Sequence, residues 1–341
     1  MNNYKEEQRE RQVNLLKNSD TNSFLFGGAR GDGTMHNIKD DTWCEYPFII
    51  QHDDSVRNLY KDIRTYALKY FERYSIEWWN QSNDRYFPTG HLLSSQIHCL
   101  NHLFAIAKDK AAVLAIIKPI GEKIGVHFDE VLPSFIDNLE HWEKNGRKCI
   151  LNNYISFEFV CQNKDLLGES FNKRGAKCTS VDAFVYARAG EEYWLIPIEW
   201  KFTEDYLKKE KVYDYARYAK YVTGNSRLKN WSRIFESEPY FELGRQTLLM
   251  EQLIANPPYY LTNDFEPQEK QLKADNFLHI VVAPNENKLF REHTENFKKE
   301  LKPESQHLFS VIDPQDFLSP LKESKKSEIQ DLITYLKTRY W

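Results

Sequence analysis

Ser180-Val181-Asp182-Ala183-Phe184-Val185-Tyr186, and then Tyr193-Trp194-Leu195-Ile196-Pro197-Ile198-Glu199-Trp200-Lys201-Phe202, is the stretch whose reading decides the architecture. Both runs are rich in β-branched and aromatic residues, with Gly190 and two glutamates between them, which reads as two strands and a turn. Strand side chains alternate faces. Glu199 and Lys201 therefore share one face, and Ile198 and Trp200 the other. Pairing through the turn brings Asp182 beside Glu199. Pro197, two residues before Glu199, lacks a ladder donor and asks for an edge position, a bulge or a shift in register.

Working outward, Ile155-Ser156-Phe157-Glu158-Phe159-Val160 alternates as well, with Glu158 facing away from Phe157 and Phe159. The three strands form an antiparallel meander. Helices are expected at 206–222 and at 240–255, the latter on a stripe of Leu248, Leu249, Leu253 and Ile254. Phe277 to Ala283 is a continuous apolar run, as for a strand buried on both faces. Leu308 to Ile312 reads as one more strand, before a final helix with Ile329, Leu332, Ile333 and Leu336. Upstream, helical patterns cover 1–19, 55–74, 88–107 with Ser94 or Ser95 as N-cap, 109–118 and 129–144. Gly27 to Gly33 has neither phosphate-loop spacing and reads as a connection. The expected organisation is a mostly helical accessory region over 1–130 and an α/β domain over 131–341, built around a mixed sheet.

The bulk properties exclude several classes. The 341 residues carry a net charge of −4, which argues against a protein that coats nucleic acid non-specifically but leaves room for a local basic groove. A 41% apolar content excludes intrinsic disorder. The longest apolar run, Ala111 to Ile117, is too short for a membrane span, and the charged start is no secretory signal. Five scattered cysteines without a CxxC fit a reducing cytoplasm rather than a disulfide or zinc scaffold.

The chemistry concentrates at Asp182, Glu199 and Lys201. Charges inside apolar strands are costly unless paired or bound to metal. Two adjacent carboxylates repel, so one tends to take up a proton. A divalent cation removes the conflict, and hard oxygen donors with open positions favour Mg²⁺ or Mn²⁺. Such an assembly suits phosphodiester hydrolysis, with Lys201 positioning the attacking water. A purely structural ion pair is the alternative reading of the same three residues.

The pattern D-x16-E-x-K on consecutive strands resembles the PD-(D/E)XK nuclease superfamily, the restriction-endonuclease-like fold. The stretch from Glu169 through Arg174-Gly175 and Ser180-Val181-Asp182 to Glu199-Trp200-Lys201, with the preceding Ser94 to Phe104, looks like a bacterial branch whose members are mostly uncharacterised. The likeness covers residues 90–255, and Val181 stands where the motif's name has proline. It implies an α-β-β-β-α-β core and a metal held by Asp182, Glu199 and the Trp200 carbonyl. It also implies a further acidic residue, for which Glu158 and Glu169 are the candidates.

On the substrate side, Arg174 is placed to hold a phosphate, Ser180 shares a face with Asp182, and Gln96 and Asn101 are candidates to line the site. Residues 206–233 hold eight Lys and Arg against two acids, with Lys208, Lys209 and Arg217 among interleaved tyrosines. Such a segment would track a phosphate backbone, or else form a solvated helix with inward tyrosines. His98 and His102 lie one helical turn apart but without the glutamate of a zinc protease helix. The expectation is a cytoplasmic Mg²⁺-dependent nuclease acting on DNA, in restriction, repair or anti-phage defence, with room for a homodimer. Its rival is an inactive module of the same fold that binds nucleic acid or joins an assembly.

Overall fold

The computed structural model describes residues 3–341 apart from 38–39, 80–86, 138–139, 145–146, 162–165, 170–173, 175–177, 205–214, 230–233, 235–236 and 262–268. Helices α1 (Asn3–Lys17) and α2 (Ser19–Phe26) lead into a hairpin of β1 (Gly33–Asn37) and β2 (Thr42–Tyr46). Then come α3 (Arg64–Arg73), α4 (Ser95–Leu103), α5 (Lys110–Lys123), β3 (Glu130–Leu132), and a second hairpin of β4 (Glu140–Lys144) and β5 (Arg147–Leu151). The meander follows as β6 (Ser156–Phe159), β7 (Val181–Ala189) and β8 (Glu192–Trp200). After it come α6 (Tyr215–Ala219), α7 (Tyr240–Ala255), β9 (Tyr259–Leu261), β10 (Glu269–Gln271), β11 (Asn276–Phe277) and β12 (His279–Val282). The chain closes with α8 (Lys288–Glu300), β13 (Phe309–Ile312), α9 (Pro314–Phe317) and α10 (Ser327–Arg339).

The main sheet is mixed, in the order β13-β12-β8-β7-β3, with β6 also on β7 and β11 also on β8. β6, β7 and β8 run antiparallel, whereas β11, β12 and β13 add in parallel. The β7–β8 hairpin turns at Gly190-Glu191, with Gly190 at φ +60, a conformation open to glycine. Its register pairs Ala183 with Ile198, so the next positions outward are Asp182 and Glu199. Pro197 lies opposite Phe184 in a central strand, with no shift of register. On its other side, the parallel ladder breaks after Leu195 and resumes at Ile198, and the proline falls in that break.

Alternation along β7 and β8 feeds two apolar layers. Ala183, Val185, Trp194, Ile196 and Ile198 join Ile97, Val113 and Leu332 from helices of one layer. Phe184, Tyr186 and Leu195 join Leu249 and Leu253 of α7 and Phe297 of α8 on the opposite layer. Leu16 and Phe26 from the N-terminal helices belong to the first of these clusters.

Three sequence expectations are corrected. The described residues of 129–144 form no helix: Glu130–Leu132 is a strand paired with β7, because Pro133 holds Leu132 extended. The pattern over 55–74 splits into a 3-10 turn, His52–Asn58, and α3. The break is tertiary, since the Tyr60 N–H donates to Asn101 Oδ1 and the Asn58 amide donates to the carbonyls of Thr89 and His91. The first hairpin, β1–β2, lies in a region that reads as helical. Among the described residues, no helix is long and apolar enough to cross a membrane.

Candidate active site

The carboxyl end of β8 and the start of β7 meet the N-terminal half of α7. Glu199 is buried, and its Oε2 accepts from Gln246 Nε2 at 2.5 Å. The same amide nitrogen donates to the Ser180 carbonyl at 2.8 Å, tying α7 to the entrance of β7. Lys201 Nζ is ion-paired with Glu199 Oε1 and lies 3.0 Å from Glu242 Oε2. Asp182, partly buried, accepts the Trp200 backbone N–H through Oδ2 at 2.7 Å. The expected trio is thus assembled, with Glu242 as an additional carboxylate.

Glu158 reaches the same cleft by an unusual route. Its φ is +50, a left-handed conformation that non-glycine residues rarely adopt. The ladder pairs its neighbours with β7 but skips Glu158 itself. This twist corrects the expected alternation: Phe157 and Phe159 enter opposite apolar layers rather than one. The Glu158 carboxylate takes a hydrogen bond from Gln96 Nε2 at 2.7 Å and another from Ser180 Oγ at 3.2 Å.

These carboxyls hold protons unusually tightly. Burial pushes Asp182 up to about 7, with Lys201 opposing and Glu158 and Glu242 adding to the rise. Burial also pushes Glu158 to about 7, against its bonds from Gln96 and Ser180. Glu199 is raised well above the usual carboxylate range by burial and by the charges of Asp182 and Glu242. Acidic groups crowded away from water are the electrostatic mark of a functional site.

The cleft has a volume of about 710 Å³ and is lined by Gln96, Glu158, Ser180, Asp182, Glu199 and Lys201, together with Glu204, Glu242 and residues of the first hairpin. The other sequence candidates go elsewhere. Glu169 accepts from Thr179 N–H and Oγ1 and from Tyr218 O–H, and it braces the approach to β7. The Asn101 amide donates to the Asn58 carbonyl and Tyr340 Oη in the core, not in the cleft. Arg174 is no open phosphate ligand: its buried guanidinium pairs with Asp137 at 2.6 Å and donates to the carbonyls of Phe157 and Glu158. Arg217 is exposed on α6 and does not line the cleft. Lys208 and Lys209 lie outside the described residues. His98 Nδ1 accepts the Trp200 indole N–H at 2.6 Å, and burial holds both His98 and His102 neutral, so this pair is a core device.

Glu242 and Gln246 were not singled out from the sequence. The signal was present: they precede Leu249 and Leu253 on one helical face, and a polar residue on a buried face needs a partner.

The donor set suits a hard divalent cation, being all carboxylate oxygen with like charges in mutual repulsion. Among the described residues, no group of three or more His, Cys, Asp or Glu is set to hold an ion unaided.

The family described as restriction endonuclease associating with ARP matches residues 32–341. No curated protein and no solved structure matches the chain. With nearly its whole length matched and an acidic cleft at the end of its central strands, the chain belongs to this family of restriction endonucleases associating with ARP.

Proposed function

We propose that the protein is a Mg²⁺- or Mn²⁺-dependent nuclease that hydrolyses phosphodiester bonds in DNA, on a PD-(D/E)XK core. The observation that carries this reading is the convergence of Asp182, Glu199 and Lys201 on the cleft floor, with Asp182 held protonated up to about 7. Asp182 and Glu199, with the Trp200 carbonyl, would hold the ion. Once bound, it supplies Lewis-acid stabilisation of charge developing on the phosphate. Gln246 fixes the Glu199 carboxylate and Gln96 that of Glu158, so neither must reorient during reaction. Lys201, between Glu199 and Glu242, points an ammonium at the cleft and would orient the water that attacks phosphorus as the bond to the leaving oxygen breaks. The family description also supplies ARP as the proposed partner.

Incubation with plasmid and single-stranded DNA in Mg²⁺, Mn²⁺ or EDTA tests this. Cleavage should require metal and disappear in Asp182→Ala and Lys201→Ala; metal-dependent cleavage that survives both substitutions refutes the site. An inactive binding module is the alternative, favoured by the Lys201–Glu199 ion pair, which already offsets one carboxylate of the site. It predicts no heat of Mn²⁺ binding in titration calorimetry.

A further inference from the structure

The cleft has a second half that hydrolysis does not use. Besides the acidic residues, it is lined by Thr34, Met35 and Trp43 of the first hairpin and by Trp79, Thr89 and Gly90. Both indoles are open to solvent, Trp43 at 53% and Trp79 at 64% exposure. Large apolar rings left in water at the mouth of a cleft mark a surface that something covers. The wall is also held in place. Gly33 N–H donates to the Ile49 carbonyl at 2.8 Å, Ile50 N–H to Gly90 at 2.9 Å and Leu92 N–H to Phe48 at 3.1 Å. Gly90 has no room for a side chain, because a Cβ there would collide with the Ile50 carbonyl. On the other side, Gln96 Oε1 accepts the Trp79 backbone N–H at 2.9 Å while its amide binds Glu158. One side chain thus ties the aromatic rim to the acidic floor.

Charge decides what the indoles can receive. The lining carries five carboxylates, Glu158, Asp182, Glu199, Glu204 and Glu242. Among the described residues lining it, Lys201 is the single lysine or arginine. Around the indoles, the described rim offers aromatic surface rather than cations. Base faces are neutral and stack on indole whatever their sequence. A base inside a duplex already has both faces covered by its neighbours, so stacking on Trp43 or Trp79 requires an unpaired nucleotide.

The geometry points to a substrate-binding role for Trp43 and Trp79: they stack unpaired bases of single-stranded nucleic acid, delivering the adjoining phosphodiester to Asp182, Glu199 and Lys201. This rests on the nuclease reading for the reaction but not for the binding.

The test uses the full-length Asp182→Asn protein, so that nothing is cut, and a labelled short single-stranded oligodeoxynucleotide followed by fluorescence anisotropy. Trp43→Ala and Trp79→Ala should each weaken binding by roughly 5- to 150-fold, the worth of one base–aromatic stack. Trp79→Phe should recover most of the loss, and melting curves should stay unchanged. The matching oligoribonucleotide, run in parallel, shows whether the sugar is read: equal indole dependence means that bases alone are gripped, and binding of DNA alone means that the sugar is read as well. Unchanged affinity in both Ala variants, or tighter binding of the matching duplex, overturns the proposal. If the wild-type chain cuts duplex and the tryptophan variants cut it equally well, the nuclease reading stands and this one falls. If nothing is cut but the indoles still govern binding, the reverse holds.

Discussion

Asp182 Oδ2 accepts the backbone N–H of Trp200 at 2.7 Å. The bond forms just past the last ladder pair of the β7–β8 hairpin, Ala183 with Ile198. A side chain thus takes over where backbone pairing stops. It ties the two strand ends together where Asp182, Glu199 and Lys201 line the cleft. Four consequences can be measured.

Asp182 should make the metal-free protein sensitive to pH. In the folded chain it keeps its proton up to about 7, whereas an unfolded Asp releases it near 4. Between those values the folded state binds more protons, so this contribution to stability is complete below pH 4 and lost as pH rises through 7. Buried His91 and His102, lowered to about 4 and about 3, act in the opposite sense. Comparing wild type with Asp182→Asn cancels them. The Asn variant should gain in Tm relative to wild type as pH goes from 5 to 8, by roughly 1–2 °C per kcal/mol of relieved repulsion. Adding Mn²⁺ should raise the wild-type Tm most at pH 8. A pH-independent difference between the two proteins would remove the electrostatic account of the site.

Gln246 Nε2 donates to Glu199 Oε2 and also serves the Ser180 carbonyl. Gln246→Met keeps the volume and deletes both bonds. The buried Glu199 Oε2 and the half-buried Ser180 carbonyl then lose this donor, which costs about 1–3 kcal/mol. Urea unfolding should show that loss, and any hydrolysis should fall with it. A stability equal to wild type would mean that the α7 contact is incidental.

Arg174 acts on Glu158 through the backbone. Its guanidinium holds the carbonyls of Phe157 and Glu158 and pairs with Asp137, all buried. Arg174→Ala leaves Asp137 uncompensated and should cost about 3–5 kcal/mol in chemical denaturation. Arg174→Lys should recover part of the stability but not the paired hold on both carbonyls. An Ala variant as stable as wild type would show the network to be dispensable.

His98 should bind no zinc. Its Nδ1 is occupied by the Trp200 indole, and its ring stacks on Phe202 at 4.1 Å. His98→Ala should lower stability by about 1–3 kcal/mol through the orphaned indole N–H. Elemental analysis should find the same negligible zinc in both proteins; stoichiometric zinc in wild type alone would reverse the assignment.

How much of the site was legible follows from the range of each contact. A period of two and a short turn are local properties, so the chain alone sets Asp182 opposite Glu199 and puts Lys201 on the same face. The helical stripe of α7 and the parallel strands were readable for the same reason. Long-range choices were not. Glu158 and Glu169 looked alike in sequence; packing sent one into the cleft through a left-handed backbone and turned the other onto Thr179 and Tyr218. Arg174 and Asn101, both polar candidates, were taken up by partners that only the folded chain brings near. Glu242 and Gln246 reached the site because α7 docks on one face of the sheet, and the first hairpin because Gly33 and Tyr46 bond Ile49, whose neighbours Phe48 and Ile50 bond Leu92 and Gly90. Strand pairing through a tight turn is decided by residues a few positions apart, whereas a buried polar group takes whichever partner close packing leaves within reach, and that depends on the whole fold.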